Sequence, residues 1–88
     1  MSNVKYIEVT PNTDYQNIAT LGSISFTNGK TYTLQVEGDV MLCEAASKPE
    51  KGGFHINTNE PFQFEAGTDA LWVKNLREFN SAYVNIAD

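Results

Sequence analysis

The sequence has few of the residues that mark several common classes of protein. Its single cysteine, Cys43, cannot form an internal disulfide, and small secreted domains usually depend on disulfides. The six lysines and arginines are scattered along a chain of net charge −5, which argues against binding to nucleic acid or to an anionic membrane. No apolar run approaches the ~20 residues of a transmembrane helix, and residues 1–10 lack the apolar core of a signal peptide. We therefore expect a protein made in a cytosol, with no nucleic-acid or membrane partner.

The chain does have enough apolar mass for one small core. Hydrophobic residues make up 41% of it, including five Phe, four Tyr and one Trp. A chain of this length is expected to form one domain, here 1–88, and to bury about 60–65% of the surface that it exposes when unfolded. Residues 1–4 lack any clear pattern and are a candidate flexible N-terminal arm.

The dominant pattern is a short alternation of apolar and polar residues, closed each time by a turn signal. Period-2 alternation places successive side chains on opposite faces of a strand, and no segment shows the i, i+3, i+4 spacing of an amphipathic helix. The fold class predicted is all-β: a small antiparallel sandwich or barrel, jelly-roll-like, with about eight short strands. The predicted strands cover residues 5–10, 23–26, 32–36, 40–45, 54–56, 62–64, 71–73 and 82–86.

Three connections give more specific expectations. Residues 23–36 predict a hairpin with a three-residue loop, 27–29, because only that length places Ile24 opposite Tyr32 on one face. Gly29 would then lie in the left-handed region. Residues 76–81 link two strands that we expect to be antiparallel neighbours. Residues 12–21 predict either a short helical turn or an ordered loop; the helical alternative is capped by Asn12 or Thr13, with Tyr15, Ile18 and Ala19 inward.

Polar residues with chemical potential form no recognisable catalytic or metal-binding pattern. His55, the single histidine, lies between Phe54 and Ile56 and is expected to point outward without a catalytic partner. Cys43 lacks a neighbouring base and is expected to be a buried, inert thiol. The carboxylates at 37–39 are too sparse for a calcium loop, and the segment 65–69 is only suggestive of one; solvent-exposed turn charges are the simpler interpretation of both. We therefore predict no catalytic residue, no metal and no cofactor, and a protein that is not an enzyme.

The aromatic residues divide into an inward set and a possible outward set. If Leu71 and Val73 belong to the core, then Trp72 points outward, and the same parity turns Tyr6 and Tyr83 outward. Exposed Tyr and Trp side chains anchor many protein interfaces and sugar-binding sites, so Tyr6, Trp72 and Tyr83 are predicted interface residues. The alternative is that Trp72 itself belongs to the core. The inward set predicted for the core comprises Phe26, Tyr32, Phe54, Phe62 and Phe64.

A family resemblance is carried mainly by the C-terminal 50 residues. The segments are Gly-Asp-Val-Met-Leu-Cys-Glu-Ala-Ala (38–46), Gly-Gly-Phe (52–54), Pro-Phe-Gln-Phe (61–64), Leu-Trp-Val-Lys (71–74) and Ala-Tyr-Val (82–84). In these the chain resembles small virion accessory proteins of tailed bacteriophages, including head decoration proteins. The resemblance implies a β-sandwich or barrel, an oligomer bound to a capsid or tail lattice, and an N-terminal arm for lattice contact. It implies no catalytic residues.

The leading functional hypothesis is a non-enzymatic structural protein of a phage particle, most simply a head (capsid) decoration protein. Its partners would be further copies of itself and the phage major capsid protein or another virion protein. It would be assembled in the host bacterial cytoplasm and reside in the virion. The alternative is a carbohydrate- or receptor-binding module of a phage tail or fibre, which uses the same outward aromatics. A small hydrolase is a third hypothesis that no residue pair supports.

Overall fold

A computed structural model of the protein describes residues 3–11, 14–58 and 60–87. These residues form a small sandwich of two four-stranded antiparallel sheets that do not close into a barrel, so the predicted fold class is confirmed as a sandwich. Among them is no helix of the length and apolarity that crossing a membrane requires. The elements are β1 (Asn3–Val9), β2 (Gln16–Asn17), α1 (Ile18–Gly22), β3 (Thr31–Glu37), β4 (Asp39–Ala45), β5 (Phe54–Asn57), β6 (Phe62–Glu65), β7 (Ala70–Asn75) and β8 (Ala82–Ala87).

The strand order is β1-β8-β3-β6 in the first sheet and β2-β7-β4-β5 in the second sheet. Buried and accessible residues alternate along β3, β7 and β8, as period-2 geometry requires of strands with one covered face. The core lies between the two inner faces. Its fully buried larger side chains are Val9, Ile18, Leu34, Val36, Val40, Leu42, Phe64, Leu71, Val73, Val84 and Ile86.

The chain passes from one sheet to the other at Gly38. This residue alone separates β3 from β4, and its φ of +116° lies in a region that favours glycine. The turn at 37–39 therefore joins two layers instead of two paired strands. The strand predicted at 40–45 is also present, as β4, and it lies between β7 and β5 inside the second sheet.

The hairpin predicted at 23–36 is wrong, although its turn is correct in part. The Lys30 amide donates to the Thr27 carbonyl at 3.1 Å, and Gly29 has a φ of +83°. Residues 23–26, however, form no strand, and Tyr32 pairs with Phe64. The physical reason is that β6 and β8 occupy both edges of β3, which leaves no edge for a local partner.

The expectation that the last two strands are neighbours is also wrong. β7 pairs with β2 and β4 in the second sheet, whereas β8 pairs with β1 and β3 in the first sheet. The connection 76–81 therefore crosses between layers. Alternation of apolar and polar residues shows which side chains face the core. Because strands of both sheets have this same alternation, it cannot show to which of the two sheets a strand belongs.

The segment predicted as a helical turn or a loop contains β2 followed by α1. The Asn17 side chain caps the helix by accepting a hydrogen bond from the Ala19 amide at 2.9 Å. Asn12 and Thr13, the predicted caps, lie outside the described residues. Tyr15 and Ile18 are buried as predicted, and Ala19 is half-buried.

Phe54 and Cys43 are less buried than predicted. Tyr32 and Phe64 are buried and Phe26 and Phe62 pack partly against the core, but Phe54 is 68% exposed. Phe54 has inward parity, yet it begins an edge strand, where side chains can extend past the layer that would cover them. Cys43 is half-buried rather than buried. β1 begins at Asn3, opposite Ala87, while Met1 and Ser2 of the predicted arm lie outside the described residues.

Candidate functional site

Three connections meet at one end of the sandwich, which we call the Gly38 end. The Gly38 amide donates to Thr58 Oγ1 at 2.8 Å, and the Thr58 amide donates to the Gly38 carbonyl at 3.1 Å. The Leu76 amide donates to the Asp39 carbonyl at 3.0 Å. These bonds tie the start of the β5–β6 connection and the start of loop 76–81 to the turn between β3 and β4.

Loop 76–81 is held from the inside by the buried side chain of Asn75. Its Nδ2 donates to the Val9 carbonyl at 3.0 Å and to the Asn80 carbonyl at 2.9 Å, and its Oδ1 accepts from the Arg77 amide at 2.8 Å. Arg77 in turn donates from Nη1 to the Ser81 carbonyl at 3.3 Å. The buried amide of Asn75 thus bonds main-chain groups near both ends of the loop, at Arg77 and at Asn80, and holds the loop in place.

The outer side of this loop presents the most exposed large apolar side chain among the described residues. Phe79 is 86% exposed, and Leu76 in the same loop is 43% exposed. Aromatic side chains in such positions are typical anchors of protein interfaces. Strand parity identifies neither residue, because both lie outside the strands. The sequence does contain an indication that Phe79 is exposed: it lies in a polar segment without alternation, so no strand places its side chain in the core.

A second aromatic feature lies on the outer face of the first sheet. Tyr6, which is 58% exposed, stacks on Tyr83 with ring centroids 5.2 Å apart and planes 3° apart. Its hydroxyl reaches past β8 and donates to Glu37 Oε2 on β3 at 2.5 Å. This hydrogen bond, with smaller contributions from desolvation and from the negative charge of Glu37, raises the pKa of Tyr6 from 10.0 to about 12.

Beside this pair is a depression of about 210 Å³, which we call the Tyr6 depression. Asn85 contributes to its wall and lies directly opposite both Tyr6 and Gln35 in the sheet. The Oδ1 atom of Asn85 is buried and accepts no hydrogen bond from the described residues. A buried acceptor without a donor costs about 1–3 kcal/mol, which makes it a natural point of contact for an added polar group. The lining residues are Tyr6, Gln35, Val36, Glu37, Thr58 and Asn85.

Trp72 faces outward, as the first of the two alternatives predicted, because its neighbours Leu71 and Val73 are both buried. It is half-buried on the outer face of the second sheet, and its Nε1 donates to the Ala45 carbonyl at 3.0 Å. The structure therefore brings Tyr6 and Tyr83 together but leaves Trp72 on the opposite side of the sandwich. A role for these three residues in an interface stays a prediction.

The other residues considered for chemistry are not brought into a common site. His55 Nε2 lies 3.5 Å from Asp39 Oδ1, and both side chains are about half exposed. Cys43 Sγ lies 4.0 Å from the Glu44 carbonyl. Within the described part of the chain, no three His, Cys, Asp or Glu residues are grouped so that they could hold a metal ion.

Comparisons with known proteins give no relative for this chain. A scan against protein-family models, a search of curated proteins and a search of solved structures each found no match.

Proposed function

We propose that this protein is a non-enzymatic structural component of a bacteriophage particle, a head (capsid) decoration or accessory protein that acts through protein–protein contacts. The virion setting is supported only by the sequence resemblance described above. Its partners are then further copies of itself and the phage major capsid protein or another virion protein. Assembly takes place in the host bacterial cytoplasm, and the mature protein resides in the virion.

The observation that carries the contact function is the exposure of Phe79 and Leu76 on a loop that Asn75 fixes from within. An exposed apolar anchor on an ordered loop loses less conformational entropy on binding than one on a loose segment. Burying such an aromatic side chain in a partner is typical of the few residues that supply most of the binding energy of an interface. The Gly38 end is therefore the surface that we assign to the partner.

The proposal is tested by measuring the solution mass of the purified protein by light scattering on a sizing column. We expect the wild type to form a closed oligomer and Phe79→Ser to shift it toward the monomer, because Phe79 is the anchor. Phe54→Ser is the matched control: its ring is 68% exposed but begins β5, at the other end of that strand from the Gly38 end. Equal masses for the wild type and Phe79→Ser, with both folded by circular dichroism, would contradict the role of the loop.

A second candidate function is a carbohydrate- or receptor-binding module of a phage tail or fibre. The Tyr6 depression favours it, because an exposed aromatic ring there lies beside amide, hydroxyl and carboxylate groups. This function does not use Phe79. The Phe79→Ser variant should therefore leave ligand binding intact even where it abolishes association.

A further inference from the structure

We propose that the Tyr6 depression binds an uncharged, hydroxyl-rich ligand, namely one ring of a neutral saccharide. The inference specifies the ligand class and the contacting residues of the second candidate function, on which it rests. It does not depend on the contact function of loop 76–81.

The polar lining suits hydroxyl groups. Gln35 and Asn85 lie directly opposite each other on β3 and β8, so their side chains project from neighbouring strands on the same face. A hydroxyl group both donates and accepts hydrogen bonds, and the side-chain amides of Gln35 and Asn85 can do both. Thr58 adds a hydroxyl group to the same lining. Adjacent amides of this kind can bond neighbouring hydroxyls of one sugar ring.

Tyr6 supplies the apolar surface that the C–H groups of a sugar ring need. Tyr83 covers one face of its ring, and the hydroxyl bond to Glu37 fixes the orientation of the ring. The rest of the ring is available, since the side chain is 58% exposed. A pre-oriented aromatic ring beside polar groups is the arrangement that recognises ligands with one apolar and one polar side.

The buried Oδ1 of Asn85 indicates where a ligand hydroxyl would bond. This acceptor has no donor among the described residues, and a hydroxyl that enters beside Tyr6 would supply one. A ligand that bonds this oxygen would lie against the ring of Tyr6, which lines the same depression. The aromatic ring signals of Tyr6 should therefore change on binding, as well as the amide signals of the strands.

The charges of the lining favour a neutral ligand. Among the described residues that line the Tyr6 depression there is no lysine, arginine or histidine, so a phosphate or carboxylate would meet no cationic side chain in this lining. The carboxylate of Glu37, which lines the depression, already accepts a hydrogen bond from the hydroxyl of Tyr6. A cationic amine could compete for that carboxylate, but it would leave the two amides without partners.

The experiment is a titration of the isotope-labelled protein with glucose, galactose, mannose and N-acetylglucosamine, each followed by NMR. Concentrations reach about 10 mM, enough to saturate a site with a Kd of about 1 mM. We expect saturable shifts, for at least one sugar, confined to the amides of residues 35–37, 58 and 83–85 and to the Tyr6 ring. Gln35→Ala should weaken this binding about tenfold or more.

Gln63→Ala is the matched control, because Gln63 lies on the outer face of the same sheet but outside the Tyr6 depression. It should bind the sugar as the wild type does. No response to any of the four sugars would overturn the inference, and so would shifts centred on Trp72. A stronger response of the same residues to butylamine, suppressed by salt, would assign the depression to a cation and overturn it as well. If Phe79→Ser loses association but still binds sugar, the Tyr6 depression binds its ligand independently of the contacts made by loop 76–81.

Discussion

At the scale of single residues, two consecutive glycines differ in whether a side chain would fit, although both have a backbone conformation that favours glycine. Gly52 and Gly53 have φ values of +95° and +112°, so both lie in a region that other residues rarely adopt. A Cβ at Gly52 would meet nothing within 4 Å. A Cβ at Gly53 would lie 2.7 Å from the Leu42 carbonyl oxygen and 2.7 Å from the Tyr15 hydroxyl oxygen. The hydroxyl of Tyr15 also donates to the Gly52 carbonyl, so this is where the loop after β4 is tied down.

We therefore expect unequal effects from two identical substitutions. Gly52→Ala should lower the free energy of unfolding by about 1–2 kcal/mol, from backbone strain alone. Gly53→Ala should lower it by about 3 kcal/mol or more, because the clash with a backbone oxygen adds to that strain. Urea unfolding followed by circular dichroism measures both values. Equal losses would mean that the loop moves away freely and is not held by Tyr15.

A second prediction at this scale concerns the pH dependence of Tyr6. Its pKa is about 12 in the folded protein and 10.0 when unperturbed, so the folded state holds the phenolic proton more tightly. The resulting stabilisation is complete below pH 10 and is lost as the pH rises from 10 to 12. Glu37→Gln removes the charged acceptor, and the pKa of Tyr6 in the folded state should fall back toward 10.

NMR titration of the tyrosine ring carbons measures this pKa directly. Glu8→Gln is the control, since Glu8 lies opposite Tyr83 and accepts from the Ser81 hydroxyl at 2.7 Å but does not contact the hydroxyl of Tyr6. It should leave most of the shift in place. A Tyr6 pKa that stays near 12 in Glu37→Gln would rule out the hydrogen bond to a charged carboxylate as its cause.

At the scale of elements, Asn75 determines the position of the loop that follows β7. Its side chain makes three hydrogen bonds to main-chain groups while buried. We expect Asn75→Ala to lower the free energy of unfolding by about 2–4 kcal/mol, because it leaves main-chain groups of the loop and of β1 without partners. Asn80→Ala, an exposed residue of the same loop, should change it by less than about 0.5 kcal/mol. A loss below about 1 kcal/mol for Asn75→Ala, by urea unfolding, would show that other contacts fix the loop.

The strands themselves could be predicted from sequence, because burial of one face leaves a period-2 pattern. The predictions at 32–36, 40–45, 62–64 and 71–73 fall within β3, β4, β6 and β7. Their pairing could not be predicted, since β3 pairs with β6 and β8, which follow it by about 30 and 50 residues, and a local pattern carries no signal over such distances. Residues 24–26 show the same limit. They have the alternation of a strand, but α1 and the two partners of β3 leave them no edge to join.

The candidate site was predictable to the same extent. Alternation identified Tyr6 and Tyr83 as outward, and both lie on the outer face of the first sheet. It could not reveal that the two rings stack or that Asn85 and Gln35 lie opposite each other, since both facts depend on strand order. Phe79 lies in a loop, where no periodicity tells an exposed side chain from a buried one.

At the scale of the whole molecule, the two sheets separate the predicted interface residues. Tyr6 and Tyr83 lie on the outer face of the first sheet, whereas Trp72 lies on the outer face of the second sheet. The core and both sheets lie between them, in a molecule of 34 × 27 × 21 Å. One flat partner surface therefore cannot contact all three residues. If all three act in interfaces, the protein has a neighbour on each side, as a subunit within a lattice has.

The separation of the two faces can be tested in the isolated protein by double-mutant cycles on the free energy of unfolding. Tyr6→Ala and Tyr83→Ala should show a coupling of about 0.5–1.5 kcal/mol, because their rings stack at 5.2 Å. Tyr6→Ala and Trp72→Ala should be additive within about 0.5 kcal/mol, because residues without shared partners do not couple. Urea unfolding of the three single and two double variants gives both values. A coupling above about 1 kcal/mol between Tyr6 and Trp72 would contradict the placement of these residues on opposite faces, and with it the inference that contacts through both require two neighbours.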